Sequence, residues 1–209
     1  MPVAVGMKAP DFTLPTKVPA GPKQIRLSDN FGHKNTLLLF FPMAFTGTCT
    51  TEMCEVSAGM NAYIGWNAAV YGISGDNPFA QEAWAQKEKI IVPLLSDYEH
   101  KTAKAYDVMY DSFLPQMNLG MSGVPKRSAF IVDKDGVIQY AESNDDARQL
   151  PNFEKIKAKL EELKLATDSP GVISNEVRDL TMRAWITHSD VCAATTVCEV
   201  LRLAQDDRT

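Results

Sequence analysis

The run Leu37-Leu38-Leu39-Phe40-Phe41-Pro42-Met43-Ala44-Phe45-Thr46-Gly47-Thr48-Cys49-Thr50-Thr51-Glu52-Met53-Cys54 limits the possible folds more than any other stretch of the chain. Residues 36–41 are apolar apart from the opening threonine, which predicts a strand covered on both faces. Pro42 cannot donate to a sheet ladder and stops the strand. Apolar residues then recur at Met53, Val56, Met60 and Tyr63, the spacing of a helix that starts near Cys49 and runs to about Tyr63. A helix start carries free N–H groups and a partial positive charge, so a thiol placed there ionises more readily. Thr46 supplies a hydroxyl three residues earlier. One segment thus combines a rigid platform, an activated sulfur and a nearby hydroxyl, the outline of a thiol active site.

The chain has 209 residues, 45% of them hydrophobic and 22% charged, enough for one domain with a substantial core and an appendage. A net charge of −5 argues against broad contact with nucleic acid or an anionic membrane surface. The start, Met1-Pro2-Val3-Ala4-Val5-Gly6, lacks the charged n-region and apolar core of a signal peptide, and no run approaches the length of a membrane span. The expected setting is reducing and cytoplasmic. Four cysteines there point to catalysis or redox sensing rather than to a disulfide framework.

The first 35 residues are rich in turn formers: Pro10, Pro15, Pro19, Gly21, Pro22 and the sequence Asp29-Asn30-Phe31-Gly32. Further strands are predicted over 70–74, 93–97, 128–132 and 137–141, the last two flanking the hairpin signal Asp133-Lys134-Asp135-Gly136. Helices are predicted over 78–89, opened by Asn77-Pro78, over 101–106, and along Phe153, Ile156, Leu160 and Leu163. Alternating strands and helices followed by a hairpin and a helix describe an α/β fold with a mixed sheet and helices on both faces. Composition changes after Leu165: residues 1–165 hold 14 Lys and 3 Arg, whereas residues 166–209 hold no Lys and 4 Arg. The chain therefore reads as a domain over 1–165 and an extension over 166–209, with helices near 176–187 and 195–204.

Pro42-x3-Thr46-x2-Cys49 resembles the active-site signature of the peroxiredoxins, the thiol peroxidases of AhpC/TSA type. The stretches Gly6-Met7-Lys8-Ala9-Pro10-Asp11-Phe12, Leu27-Ser28-Asp29, Gly72-Ile73-Ser74-Gly75-Asp76-Asn77-Pro78-Phe79, Pro93-Leu94-Leu95-Ser96-Asp97 and Arg127-Ser128-Ala129-Phe130-Ile131-Val132-Asp133 resemble that family in order across about residues 3–165. The resemblance implies a thioredoxin-like fold and reduction of hydrogen peroxide or organic hydroperoxides. Cys49 would be the peroxidatic cysteine, Thr46 would hydrogen-bond the peroxide, Pro42 would shield the sulfur, and Arg127 would hold thiolate and peroxide. Glu52 matches a supporting carboxylate that orients an arginine. No metal and no organic cofactor is implied. The product is a sulfenic acid on Cys49, resolved by a second thiol. Thioredoxin, glutaredoxin or a low-molecular-weight thiol is the implied reductant, and a homodimer or larger homo-oligomer the implied assembly. The apolar loop residues Met43, Phe45, Phe113, Leu114 and Met117 are expected at such a contact.

Cys54 follows Cys49 by five residues, as in the bacterioferritin-comigratory group, and is the first candidate for the resolving cysteine. Five residues span about 7.5 Å along a helix, so the helix start must unwind before the sulfurs can bond. The segment Met43-Ala44-Phe45-Thr46-Gly47-Thr48-Cys49 also resembles members with a single functional cysteine. His188-Ser189-Asp190-Val191-Cys192 resembles the C-terminal resolving segment of two-cysteine members, and Cys198 is a further competitor. Simpler roles stand beside these: Thr46 as a helix cap, Arg127 as a surface ion pair, Trp84 as a core residue. His188-x3-Cys192-x5-Cys198 does not fit a zinc pattern, and His33 and His100 carry no ligand-like spacing. A redox sensor or relay, or a chaperone-like oligomer, is the alternative reading of an oxidisable Cys49.

Overall fold

In the computed structural model, which describes residues 3–18, 20–118 and 120–168, the elements in chain order are β1 (Thr13–Val18), β2 (Gly21–Arg26), β3 (Asn35–Phe40), α1 (Gly47–Ala58), α2 (Met60–Gly65), β4 (Ala68–Ser74), α3 (Pro78–Glu88), β5 (Leu94–Ser96), α4 (Lys101–Ala105), β6 (Arg127–Val132), β7 (Ile138–Asn144) and α5 (Phe153–Asp168). The apolar run forms β3, at the centre of a five-stranded sheet ordered β5-β4-β3-β6-β7. All six residues of β3 are buried, as a strand covered on both faces requires. Its side chains alternate between two cores. Leu37 and Leu39, with Phe41 just beyond, pack with Met53 and Val56 of α1, Trp84 of α3 and Ile156 and Leu160 of α5. Leu38 and Phe40 face Leu27, Ile73, Tyr106 and Phe130 on the other side. Each such fully buried side chain contributes roughly 1.5–3 kcal/mol relative to exposure.

The sheet is mixed. β3 pairs in parallel with β4, and β4 with β5, while β6 runs antiparallel to both β3 and β7. The turn after β6 is closed by the Asp133 carboxylate, which accepts from the amides of Asp135 and Val137 at 2.9 Å each, with Gly136 at φ 74 where a side chain would be strained. Gly72 pairs with Leu39 on the face beneath α1. A β-carbon there would fall 2.8 Å from Leu94 Cδ2 and 3.0 Å from Met53 Sδ, so the bare backbone lets α1 lie close on the sheet.

Three boundaries differ from the sequence reading. The turn-rich first segment contains an antiparallel pair, β1 with β2, in which Leu14 and Thr16 point inward and Pro15 outward. The helix expected to run to Tyr63 breaks at Gly59 into α1 and α2, at the residue whose helical conformation is entropically most costly. Tyr63 is nevertheless buried, as its spacing predicts. Helix α5 continues through Asp168, past the boundary placed at Leu165. The helices read at 176–187 and 195–204 lie outside the described residues, as do Cys192 and Cys198.

Asp11 ties the N-terminal segment to the start of the fold. Its carboxylate accepts from the amides of Phe12 and Ser28, from Ser28 Oγ at 2.8 Å and from Arg26 Nε at 3.1 Å. Burial works to raise its pKa, but these donors outweigh it and hold the carboxyl below its ordinary value. The folded pKa is depressed, so the contribution is present above the ordinary carboxylate range and lost as pH falls through it. Asp11→Asn should therefore lower stability at pH 7 by about 0.5 kcal/mol, a modest value because the group is solvent-screened. Urea titrations should show the gap between the two proteins closing toward pH 3.

Candidate active site

Cys49 is the third residue of α1 and is buried. The amides of the first helical turn have no acceptor within the helix, and Cys49 belongs to that turn. Thr46 occupies the N-cap position with extended backbone, φ −94 and ψ 148, and its carbonyl accepts from the Thr50 amide at 2.9 Å. Its hydroxyl does not cap the helix. It donates to the Met43 carbonyl at 2.8 Å, across a turn that contains Phe45 at φ 64. A left-handed aromatic residue costs of order 1 kcal/mol or more, so the surrounding contacts must hold the turn. Phe45 packs beside Trp84 at 6.4 Å between ring centroids, and Lys87 Nζ lies 5.8 Å from its ring. Trp84 is core, as its helix position suggested, and its indole N–H donates to Thr50 Oγ1 at 3.2 Å.

The loop has a second anchor that sequence reasoning missed. Asp76 Oδ2 accepts from the Ala44 amide and from Ser74 Oγ, both at 2.8 Å, and the Asp76 carbonyl accepts from Ser96 Oγ at 2.6 Å. The β4–α3 junction thereby holds the backbone two residues ahead of Thr46. Asp76→Ala would leave the Ala44 N–H without this acceptor, at a cost of about 1–3 kcal/mol in loop order. Hydrogen exchange at the Ala44 amide should accelerate by at least about fivefold while the amides of β3 keep their protection.

Arg127, the first residue of β6, is wholly buried and reaches across the sheet to α1. Its Nη2 donates to Cys49 Sγ at 3.2 Å, its Nε donates to the Ala147 carbonyl at 3.0 Å, and its Nη1 pairs with the Glu52 carboxylate. Glu52 lies three residues after Cys49, so both face the same guanidinium from one side of the helix. A surface ion pair, the simpler alternative for Arg127, does not hold, because the side chain is buried. Burial works against the guanidinium's charge, but Glu52 and Cys49 outweigh it and hold Arg127 protonated. Burial pushes the Glu52 carboxyl up, with Arg127 opposing. Glu52 Oε1 has no hydrogen-bond partner among the described residues. The Ala147 contact is made by a backbone carbonyl, which leaves no trace in residue types.

Pro42, buried, directly follows Phe41 and lines a cavity of about 280 Å³ together with Met43, Val124 and Pro125. Cys54 lies on the same helix as Cys49, half-buried, and its Sγ–H donates to the Glu88 carbonyl at 3.7 Å. Helix α1 is unbroken between the two cysteines. Of the five apolar loop residues expected at a contact, Phe45 and Met117 are exposed and Met43 and Leu114 half-buried, but Phe113 is buried against Tyr110. Among the described residues no group of three or more His, Cys, Asp or Glu side chains gathers to hold a metal.

The arrangement is a buried thiol at a helix start, a guanidinium in contact with the sulfur, and a threonine locked in the adjoining loop. Residues 5–141 match the AhpC/TSA family. A chloroplastic 2-cysteine peroxiredoxin of Chattonella marina var. antiqua is 32% identical over 152 residues, covering 69% of this chain and 73% of the relative. Alkyl hydroperoxide reductase E of Mycobacterium bovis is 33% identical over 140 residues, covering 66% and 84%. The crystal structure of peroxidoxin BcpB from Mycobacterium tuberculosis superposes with a TM-score of 0.64 at 27% identity, over 77% of this chain and 98% of that one. With a family match over 5–141, relatives above 30% identity over two thirds of the chain and a shared thioredoxin-like fold, the chain belongs to the AhpC/TSA family, the peroxiredoxins.

Proposed function

We propose that this peroxiredoxin reduces hydrogen peroxide and small organic hydroperoxides with the Cys49 thiolate as nucleophile. The observation that carries the reading is the buried contact between Arg127 Nη2 and Cys49 Sγ at the start of α1. The thiolate attacks the terminal oxygen of the hydroperoxide. An S–O bond forms, the O–O bond breaks, and the leaving oxygen departs as an alkoxide or hydroxide that takes a proton to become an alcohol or water. Cys49 is oxidised to the sulfenic acid and the peroxide is reduced. Charge grows on the leaving oxygen, so fixed donors near it lower the barrier. The amides at the start of α1 and the Arg127 guanidinium are such donors. Thr46, tethered to Met43, orients the incoming peroxide, and Pro42 closes the site against bulk water. Glu52 and the Ala147 carbonyl hold the guanidinium in place.

Cys54 then attacks the sulfur of the sulfenic acid. An S–S bond forms and the hydroxyl leaves as water. Opening the first turn of α1 is the low-cost route to this bond, because helix ends open most readily. A thioredoxin-like protein, glutaredoxin or small thiol returns the disulfide to two thiols, which places the cycle in a reducing, cytoplasmic setting. The exposed Phe45 and Met117 support a homodimer with its contact near the site.

Peptide mapping after one equivalent of peroxide tests the pairing. The expected product is a Cys49–Cys54 link within one chain. Full-yield disulfide in Cys54→Ser, linking Cys49 to Cys192 or Cys198, would reverse this assignment.

A further inference from the structure

Arg127 is held from three sides, and one of its holders stands on insecure ground. The Ala147 carbonyl that accepts from Arg127 Nε lies in the loop between β7 and α5. That loop is open to solvent: the side chain of Asp145 is 89% exposed and that of Arg148 86%. Its internal hydrogen bonds only close a local turn. The Asp146 carboxylate accepts from the Arg148 amide and the Asp146 carbonyl from the Gln149 amide, at 3.0 Å each. Between the loop and residues 112–116 lies a cavity of about 500 Å³, lined in part by Phe113, Leu114, Asp146 and Ala147, so packing does not back the loop on that side. Exposed loops of this kind open at little cost. A carbonyl carried on one can fix a buried guanidinium only if the loop is itself held.

Tyr110 supplies the hold. Its hydroxyl donates to the Asp145 carbonyl at 2.8 Å, two residues before Ala147. Burial raises the hydroxyl above its ordinary pKa, with Asp145 and Asp146 adding to the effect and Arg127 opposing it, so the group stays a donor at neutral pH. The Tyr110 amide donates to the Val124 carbonyl at 2.9 Å, and Met109 forms a β-bridge with Pro125 beside it. Tyr110 is therefore anchored on the segment that runs directly into Arg127. Its ring packs against buried Phe113 at 5.3 Å between centroids, and Lys126 Nζ lies 5.8 Å from its centre. Lys126 also pairs with the Asp145 carboxylate at 2.7 Å, but a pair so exposed adds little.

We propose, resting on the peroxidase reading above, that Tyr110 is a positioning residue for the reaction of Cys49, acting through the loop 145–147 to keep the Ala147 carbonyl on Arg127 Nε. An anchored Nε fixes the plane of the guanidinium, which keeps Nη2 on the sulfur and Nη1 on Glu52. The Tyr110 hydroxyl bonds the loop and not the guanidinium, so its influence on the sulfur passes through Arg127.

Tyr110→Phe keeps the ring and removes the donor. Two measurements on the full chain follow its effect. Exchange of the Arg127 Nε–H with water, read by NMR, should accelerate at least about fivefold while the amides of β6 keep their protection. The second-order rate of Cys49 oxidation by hydrogen peroxide should fall about fivefold, the factor one neutral hydrogen bond supplies. A second background shows the route. Arg127→Met with Glu52→Leu gives the Ala147 carbonyl no donor, so adding Tyr110→Phe to that pair should slow oxidation no further, because the residues act along one path. Unchanged Nε–H exchange or an unchanged oxidation rate in Tyr110→Phe overturns the positioning role, and so does an equal fold loss with and without Arg127. Failure of the unaltered protein to react with hydrogen peroxide overturns the peroxidase reading instead, a separate result, and the exchange measurement then still decides whether Tyr110 holds Arg127 in place.

Discussion

Replacing Cys49 with serine should reduce peroxide consumption to that of a protein-free control, a loss of more than about a thousandfold, or about 4 kcal/mol of transition-state stabilisation. A serine hydroxyl is un-ionised at neutral pH, and among the described residues no hydrogen bond ties Cys49 to a base. Its hydrogen-bonded neighbour is Arg127, a group with donors only. The substitution is nearly isosteric in a buried position, so the urea midpoint should move little and the loss can be assigned to chemistry. Peroxide consumption with a thiol reductant in excess measures it. Substantial residual turnover would remove Cys49 from the nucleophile's role.

Arg127→Ala should damage the protein in two separable ways. Glu52 would remain wholly buried with no counter-charge, and breaking a buried pair from one side costs about 3–5 kcal/mol. The sulfur would lose its only guanidinium donor among the described residues, with an expected fall of about 10²–10³ in the rate of Cys49 oxidation. A paired replacement separates the two effects. Arg127→Met with Glu52→Leu leaves no uncompensated charge and should recover most of the stability, measured by urea unfolding, while oxidation stays slow. Arg127→Lys should fall between, because one ammonium cannot reproduce the fork that touches Cys49, Glu52 and Ala147 together. A paired variant that regained the rate along with the stability would reduce Arg127 to a structural residue.

The centre of the fold was legible because its residues speak twice. Leu37 to Phe41 are apolar without interruption and are followed by a proline, so burial on two faces and the strand's end were both readable. Cys49 and Thr46 were legible as residue types at fixed spacing, and Glu52 and Arg127 through the family resemblance of the segments that carry them. What spacing could not convey was the partner of each group. Thr46 was read as a possible cap, yet its hydroxyl turns back to Met43 because Phe45 takes a left-handed conformation that its residue type does not advertise. Asp76 and the Ala147 carbonyl act through tertiary contacts between segments 32 and 20 residues apart in sequence. The pair β1–β2 was hidden by Pro15 and Pro22, which read as turn formers but here sit where a missing N–H is tolerated in an isolated two-stranded pair. Phe113 looked exposed because it lies in a loop, but it packs against Tyr110.

Gly72 gives the site its tolerances. The guanidinium is anchored on the sheet side through β6, and the sulfur rides on α1, so the 3.2 Å between them depends on how high the helix stands above the strands. That height is set where Met53 comes down onto Gly72. A single methyl group at position 72 would act as a shim under the helix, lifting Met53 and, one turn away, Cys49. The reactivity of the thiol is in this sense gauged by an atom that the chain leaves out, 23 residues along the sequence from Cys49.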